Sequence, residues 1–225
     1  MKRGTLIILA YCLVQPNLLI GQTENLTKSN LQAVNVSVKS TQLMGKQVIR
    51  VVKDSSVTAF DEPTFAKLPH VDFENGVIEV RVLSRLLPNA PHLARGFIGI
   101  AFRINETNSL FESIYLRPDN ARANDQLRRN HSIQYFSYPD FKFDRLRKEA
   151  EGRYEAYTDM GMNEWIKLKI EVQGQQAKLF INENKQPSLI VNDLKHGANR
   201  SGSIGLWVDV GTEGFFTDLE IKKEK

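Results

Sequence analysis

The sequence contains a single cysteine, Cys12, among 225 residues. One thiol cannot build an intrachain disulfide framework or a zinc site made of cysteines. Long apolar runs are also missing. With 41% apolar and 25% charged residues, the chain is too polar to span a membrane repeatedly and too apolar to stay disordered. There is no G-x-G-x-x-G, no P-loop and no alternation of strand-like with helix-like segments, which argues against a doubly wound α/β fold. No G-x-S-x-G is present, so a serine nucleophile finds no support. No stripe of Lys and Arg accompanies the net charge of +4, so nucleic acid is not an expected partner. No linker rich in Gly, Ser or Pro interrupts the chain, and no repeat is visible.

The N-terminus carries a clear signal. Lys2 and Arg3 precede an apolar stretch of about ten residues, the pattern of a secretory signal peptide. The stretch is too short to cross a bilayer, which takes roughly 20 residues. Leu18, Leu19 and Ile20 lead to the small residue Gly21, and cleavage is expected between Gly21 and Gln22. Tyr11 precedes Cys12 and the apolar core continues beyond it, so Cys12 reads as part of the removed segment and not as a lipidated residue. The expected layout is a signal peptide over 1–21, a polar leader over 22–30 and one domain over 31–225. The product would be secreted or periplasmic, without a membrane span. Loss of Lys2 and Arg3 lowers the net charge from +4 to +2.

The remainder reads as a series of short strands. Val34, Val36 and Val38 alternate with polar residues, as a half-buried strand does. Further strands are expected over 47–52, 57–60, 76–82, 96–104, 110–117, 131–138, 165–172, 176–181, 188–191, 203–210 and 215–221. Ile78, Val80 and Val82 share one face, as do Ile98, Ile100, Phe102 and Ile104. Gly174 and Gln175 mark a tight hairpin. At most one short helix is expected, within 143–150. About twelve antiparallel strands with so little helix predict an all-β, two-sheet sandwich.

Three stretches resemble a known superfamily. These are Phe73-Glu74-Asn75-Gly76-Val77-Ile78-Glu79-Val80, the hairpin running from Asn163-Glu164-Trp165 to Ile181-Asn182, and Gly202-Ser203-Ile204-Gly205-Leu206-Trp207 with the closing Phe216-Thr217-Asp218-Leu219. They are similar to the strands of concanavalin A-like, laminin G-like jelly rolls, over roughly residues 32–222. Within that superfamily the chain looks closest to secreted bacterial domains of the 3-keto-disaccharide hydrolase type. The resemblance implies a carbohydrate or glycoside as partner. It leaves three functions open: a non-catalytic glycan-binding domain, a 3-keto-glycoside hydrolase, or a laminin G-like adhesion module. The E-x-D-x-x-E motif of the laminarinase-like branch is absent. No cofactor is implied beyond a structural Ca²⁺ near a strand end, for which Asp72, Asp209 and Asp218 are the candidates.

The candidate binding residues come from the sheet face opposite the core. Alternation puts Gly99, Ala101 and Arg103 on that face of one strand, and Phe111, Ser113, Tyr115 and Arg117 on that face of the next. His131 and Gln134 follow on a third. Arg103, Tyr115, Arg117, His131 and Gln134 are therefore expected to line one trough. Arg and Gln can hydrogen-bond sugar hydroxyls or a carboxylate, and Tyr can stack on a sugar's apolar face. The same residues also suit a plain sheet with surface ion pairs. His131 is the one candidate acid or base, and the other histidines lack ligand spacing. Residues 117–153 hold nine Arg or Lys against six Asp or Glu and include two long connections. Long ordered loops are often functional, so these are expected to rim the trough.

Overall fold

The structure is a computed structural model and describes residues 19–24 and 26–224. Cys12 and most of the expected signal peptide lie outside the described residues. In chain order the first strands are β1 (Leu19–Glu24), β2 (Gln32–Val34), β3 (Val36–Leu43), β4 (Lys46–Lys53), β5 (Phe65–Phe73), β6 (Gly76–Leu86), β7 (Ile98–Ile104) and β8 (Phe111–Leu116). Helices α1 (Pro118–Ala121) and α2 (Gln126–Asn130) precede β9 (Ile133–Tyr138), and α3 (Phe143–Glu149) precedes β10 (Glu155–Ala156). The chain closes with β11 (Ile166–Gln173), β12 (Gln176–Ile181), β13 (Leu189–Val191), β14 (Gly202–Val208) and β15 (Thr212–Glu224).

These strands form two antiparallel sheets. One runs β13-β12-β11-β6-β15-β4-β3, with β1 also paired to β15; the other runs β10-β9-β8-β7-β14-β5-β2. The two-sheet all-β sandwich expected from alternation is the observed fold. Gly174 takes φ +55° in the two-residue turn between β11 and β12, the conformation a tight hairpin needs. The helices number three among the described residues, not one, because the connection 118–130 folds into two short turns of helix. Residues 57–60 form no strand. They belong to a loop, residues 54–64, whose backbone turns at Asp61 with φ +53°.

The sheets differ in how they meet water. On β6, Ile78, Val80 and Val82 are buried while Arg81 is exposed, so this sheet has one wet face. On β7 and β8 every residue is buried. Ile98, Ile100 and Phe102 point toward the opposite sheet; a Cβ placed on Gly214 of β15 would lie 3.1 Å from Ile98 Cδ1. The other face carries an aromatic layer. Phe65 meets Phe111 edge-on at 5.4 Å, Phe111 meets Phe136 at 5.6 Å, and Tyr115 meets Trp207 at 4.7 Å and Phe136 at 5.8 Å. That layer is roofed. Trp207 Nε1 donates to the Glu62 carbonyl at 2.9 Å, and the Phe143 N–H donates to Asp61 Oδ2 at 2.7 Å. Loop 54–64 and α3 thus close together over the sheet, and what stays open is a pocket at one end.

Candidate functional site

The register explains how the pocket is built. Tyr115 pairs with Gly99 on one side and Gln134 on the other. Gly99 has to be glycine, since a Cβ there would sit 2.3 Å from the Ile114 carbonyl oxygen and 2.6 Å from Tyr115 Cβ. Arg117 leaves the end of β8, and its guanidinium lies 5.1 Å from the Tyr115 ring and 5.5 Å from that of Phe143. Its Nη2 donates to Tyr115 Oη at 2.7 Å and to Gln134 Oε1 at 3.2 Å, and its Nη1 to Glu155 Oε1 at 3.1 Å.

Glu155, on β10, is the anchor of this network. Arg147 from α3 grips both of its oxygens, with Nε at 3.0 Å from Oε2 and Nη2 bonded to Oε1. His131 Nε2 lies 3.4 Å from Oε2. Burial alone would raise the Glu155 carboxyl, but the Arg147 hydrogen bond and the charges of Arg117 and Arg147 hold it below the ordinary range. Burial lowers the His131 imidazole; Glu155 opposes this, and Arg147 and Arg117 reinforce it.

Around this floor lies a cavity of about 310 Å³. Its walls are the rings of Phe60, Phe97, Tyr115 and Phe143; its polar lining is Arg95, Arg117, Asn120, Arg128, His131 and Arg147. Leu93 and Leu127 stand at its rim, 60% and 62% exposed. No carboxylate is among the lining residues. A larger, shallower depression of about 770 Å³ lies around Lys67, Asn105 and Ser203, without an aromatic wall. There Lys67 is already engaged by the Asn105 carbonyl at 3.0 Å and Asn108 Oδ1 at 2.8 Å.

The structure brings together four of the five expected trough residues. Tyr115, Arg117 and His131 line the cavity, and Gln134 is fully buried beneath, fixing Arg117. Arg103 is elsewhere. It has φ +53° beside an irregularity in the β7–β14 ladder, and its guanidinium bonds the carbonyls of Glu74, Gly197 and Gly174 and Asn75 Oδ1 at 2.9–3.2 Å. It ties three turns together and does not face the cavity. Tyr135 faces the opposite sheet and donates to Glu112 Oε2 at 2.6 Å. Arg128, Phe143 and Arg147 fall inside the charged segment 117–153, which was their signal in the sequence. Phe97 shares the parity of Gly99 on the strand expected over 96–104, whereas Phe60 and Arg95 gave no signal, because only the fold carries the loops that hold them to this end of the sheet.

The calcium candidates do not fit a cation. Asp209 receives Lys53 Nζ at 2.5 Å, the Asp61 N–H at 2.9 Å and the Val210 N–H at 2.6 Å, a set of donors that suits an anion held by protein. Asp218 is taken by Lys46 at 3.2 Å and Arg81 at 3.6 Å. Among the described residues no three His, Cys, Asp or Glu side chains, Asp72 included, form a group that could hold a metal. No helix among them is long and apolar enough to cross a membrane.

No protein-family model and no curated protein matches the chain. Solved structures do. The carbohydrate-binding module CBM66 from Bacillus subtilis superposes with a TM-score of 0.54 at 11% identity, covering 85% of this chain and 95% of that one. A Bacillus subtilis protein of unknown function with a galectin-like fold gives 0.53 at 11% identity, with 88% and 94% covered. A protein from Parabacteroides distasonis, provisionally described as a glycosyl hydrolase, gives 0.51 at 11%, with 88% and 89% covered. At such identities the likeness concerns the fold alone: the chain shares the two-sheet antiparallel β-sandwich of these structures.

Proposed function

We propose that this chain is a secreted domain that binds carbohydrate in the pocket at the end of its seven-stranded sheet. The observation that carries the reading is the composition of that pocket. Four aromatic rings and two exposed leucines offer surfaces for the C–H faces of a sugar, and guanidinium, amide and imidazole groups offer donors for its oxygens. The likeness to a carbohydrate-binding module supports it. Hydrolysis by a carboxylate pair would need an acid and a base or nucleophile against the sugar. The cavity lining has no Asp or Glu, and Glu155 behind it is held by Arg117 and Arg147. Binding is therefore proposed ahead of turnover, and ahead of adhesion to a protein partner, which would want a broad face more than a small cleft.

The test is calorimetric titration of the purified protein with a panel of neutral and charged oligosaccharides, with product release followed in parallel. Saturable binding without product is expected. Replacing both rim residues, Leu93→Ala with Leu127→Ala, should weaken it roughly threefold to tenfold with no loss of fold, since both side chains face water. A protein that binds no saccharide in the panel, or that releases product, would sink the proposal.

A further inference from the structure

The pocket at the end of the seven-stranded sheet is unbalanced in charge. Four arginines line the cavity: Arg95, Arg117, Arg128 and Arg147. Only two carboxylates answer them. Glu155 is shared by Arg117 and Arg147. Asp119 is shared by Arg128 at 2.8 Å and Arg95 at 4.0 Å. The third acid nearby, Asp61, is pushed up to about 7 by burial and by Asp209, so at neutral pH its charge is only partly present. A surplus of positive charge therefore faces a small, partly dry space, where it acts over short range with little screening.

The hydrogen bonds agree with the charge count. Arg95 donates through Nη1 to the carbonyls of His92 and Ala94. Arg128 donates through Nε and Nη2 to Asn120 and Asp119. Arg147 donates through Nε and Nη2 to Glu155. Among the described residues, no acceptor is bonded to Nη2 of Arg95 or to Nη1 of Arg128 or Arg147. Each arginine is thus fixed by one side of its planar fork, which leaves donors for a ligand. Burial, then the charges of Arg128 and Arg117, weaken Arg95's hold on its proton, as expected of a cation crowded by cations.

Building on the carbohydrate-binding reading, we propose that the pocket selects an acidic sugar. The carboxylate of a uronic acid residue is received by Arg95 and Arg128, and the ring is held between the aromatic wall and the two rim leucines. A guanidinium presents paired donors in one plane, the geometry a carboxylate accepts. A volume of about 310 Å³ is near the lower end of small-ligand pockets, so it takes the terminal residue of a glycan and not a length of chain.

A matched pair of ligands tests this: a uronic acid oligosaccharide and its methyl ester, which has the same backbone without the charge. A sulfated oligosaccharide and a neutral one complete the panel. The free acid should bind at least about tenfold more tightly than its ester, and this advantage should shrink between low and high salt. Arg128→Gln and, separately, Arg95→Gln should each remove most of that advantage. Each variant should weaken the acid several-fold more than the ester, with thermal unfolding showing each variant folded. Ester and acid bound alike, or both variants binding the acid as the parent does, would overturn the proposal while leaving carbohydrate binding standing. A sulfated sugar bound more tightly than the uronate would overturn the choice of carboxylate. Binding to none of the four would overturn the carbohydrate reading itself.

Discussion

Asp61 occupies the least comfortable position in the molecule. It is a non-glycine residue at φ +53°, 1% exposed, and its carboxyl accepts the Phe143 N–H while its own N–H reaches Asp209. Burial, then the neighbouring Asp209, raises its pKa from 3.8 to about 7. The folded state therefore binds this proton more tightly than the unfolded chain does. Stability from this group is intact below about pH 4 and falls as pH rises through 7, by an amount on the order of 4 kcal/mol. Glu155 works the other way: its folded pKa is depressed, so its contribution is lost as pH falls. The two overlap in the parent protein, but a variant separates them. Asp61→Asn keeps an acceptor for Phe143 and does not titrate. The difference in unfolding free energy, variant minus parent, should rise from about pH 4 to pH 7 and level off above that, by chemical denaturation. A flat difference would mean that Asp61 is ionised normally. Arg103 shows why side-chain roles at this scale escape the sequence. Strict alternation puts it beside Gly99 and Ala101. A positive φ at an irregularity shared with β14 turns it onto Glu74, Asn75, Gly174 and Gly197 instead. That irregularity depends on a partner strand a hundred residues away.

At the scale of elements, alternation carried most of the fold. The strands read at Ile78–Val82, Ile98–Ile104 and the 165–181 hairpin occur, because the alternation of faces is written directly into residue order. The single strand expected over Val34–Val38 does not: the chain turns at Asn35, φ +51°, and passes from β2 in one sheet to β3 in the other. Two further elements did not follow. Strand β5 contains Pro69, a residue that discourages a strand reading; it is accommodated where the β5–β14 register shifts and no ladder hydrogen bond is needed from it. The segment 57–60 has strand-forming residues but folds across the aromatic layer as loop, with Phe60 edge-on to Phe97 at 6.2 Å and to Phe143 at 6.1 Å. Tertiary cover won over local propensity there. Of the candidate site, the members on β8 and β9 were legible and those on the roofing loops were not. The join between β7 and β8 gives the prediction that belongs here. Gly99→Ala would drive a methyl group into the Ile114 carbonyl and the Tyr115 backbone, moving the strand that ends in Arg117. A loss of about 2–4 kcal/mol in denaturant unfolding is expected, together with weakened ligand binding. An unchanged midpoint would show that β8 is not pinned by this contact.

For the whole molecule, stability has to come from sheet packing, since the only thiol in the sequence is Cys12. The two faces divide the labour. The eight-stranded sheet turns ion pairs such as Lys167–Glu79 and Arg50–Glu213 outward, and these contribute little each. The seven-stranded sheet is dry on both faces at its centre, along β7 and β8, and holds the pocket. The first and last described strands meet on the wet sheet, where β1 pairs with β15, from Leu19 with Glu224 to Glu24 with Leu219. The expected cleavage between Gly21 and Gln22 passes through the middle of β1. It would leave Gln22, Thr23 and Glu24 facing Ile221, Glu220 and Leu219. Such a short pairing only adds a second partner to β15 residues that β6 already holds, Glu220 with Glu79 and Ile221 with Ile78, so its opening is cheap. When the full chain is expressed in an exporting cell, intact mass should show an exported product that begins at Gln22. That product should unfold within roughly 1 kcal/mol of a chain starting at Leu19. An exported product that keeps residues 1–21, or retention inside the cell, would overturn the export reading. A product several kcal/mol less stable would instead make β1 part of what holds the sandwich together.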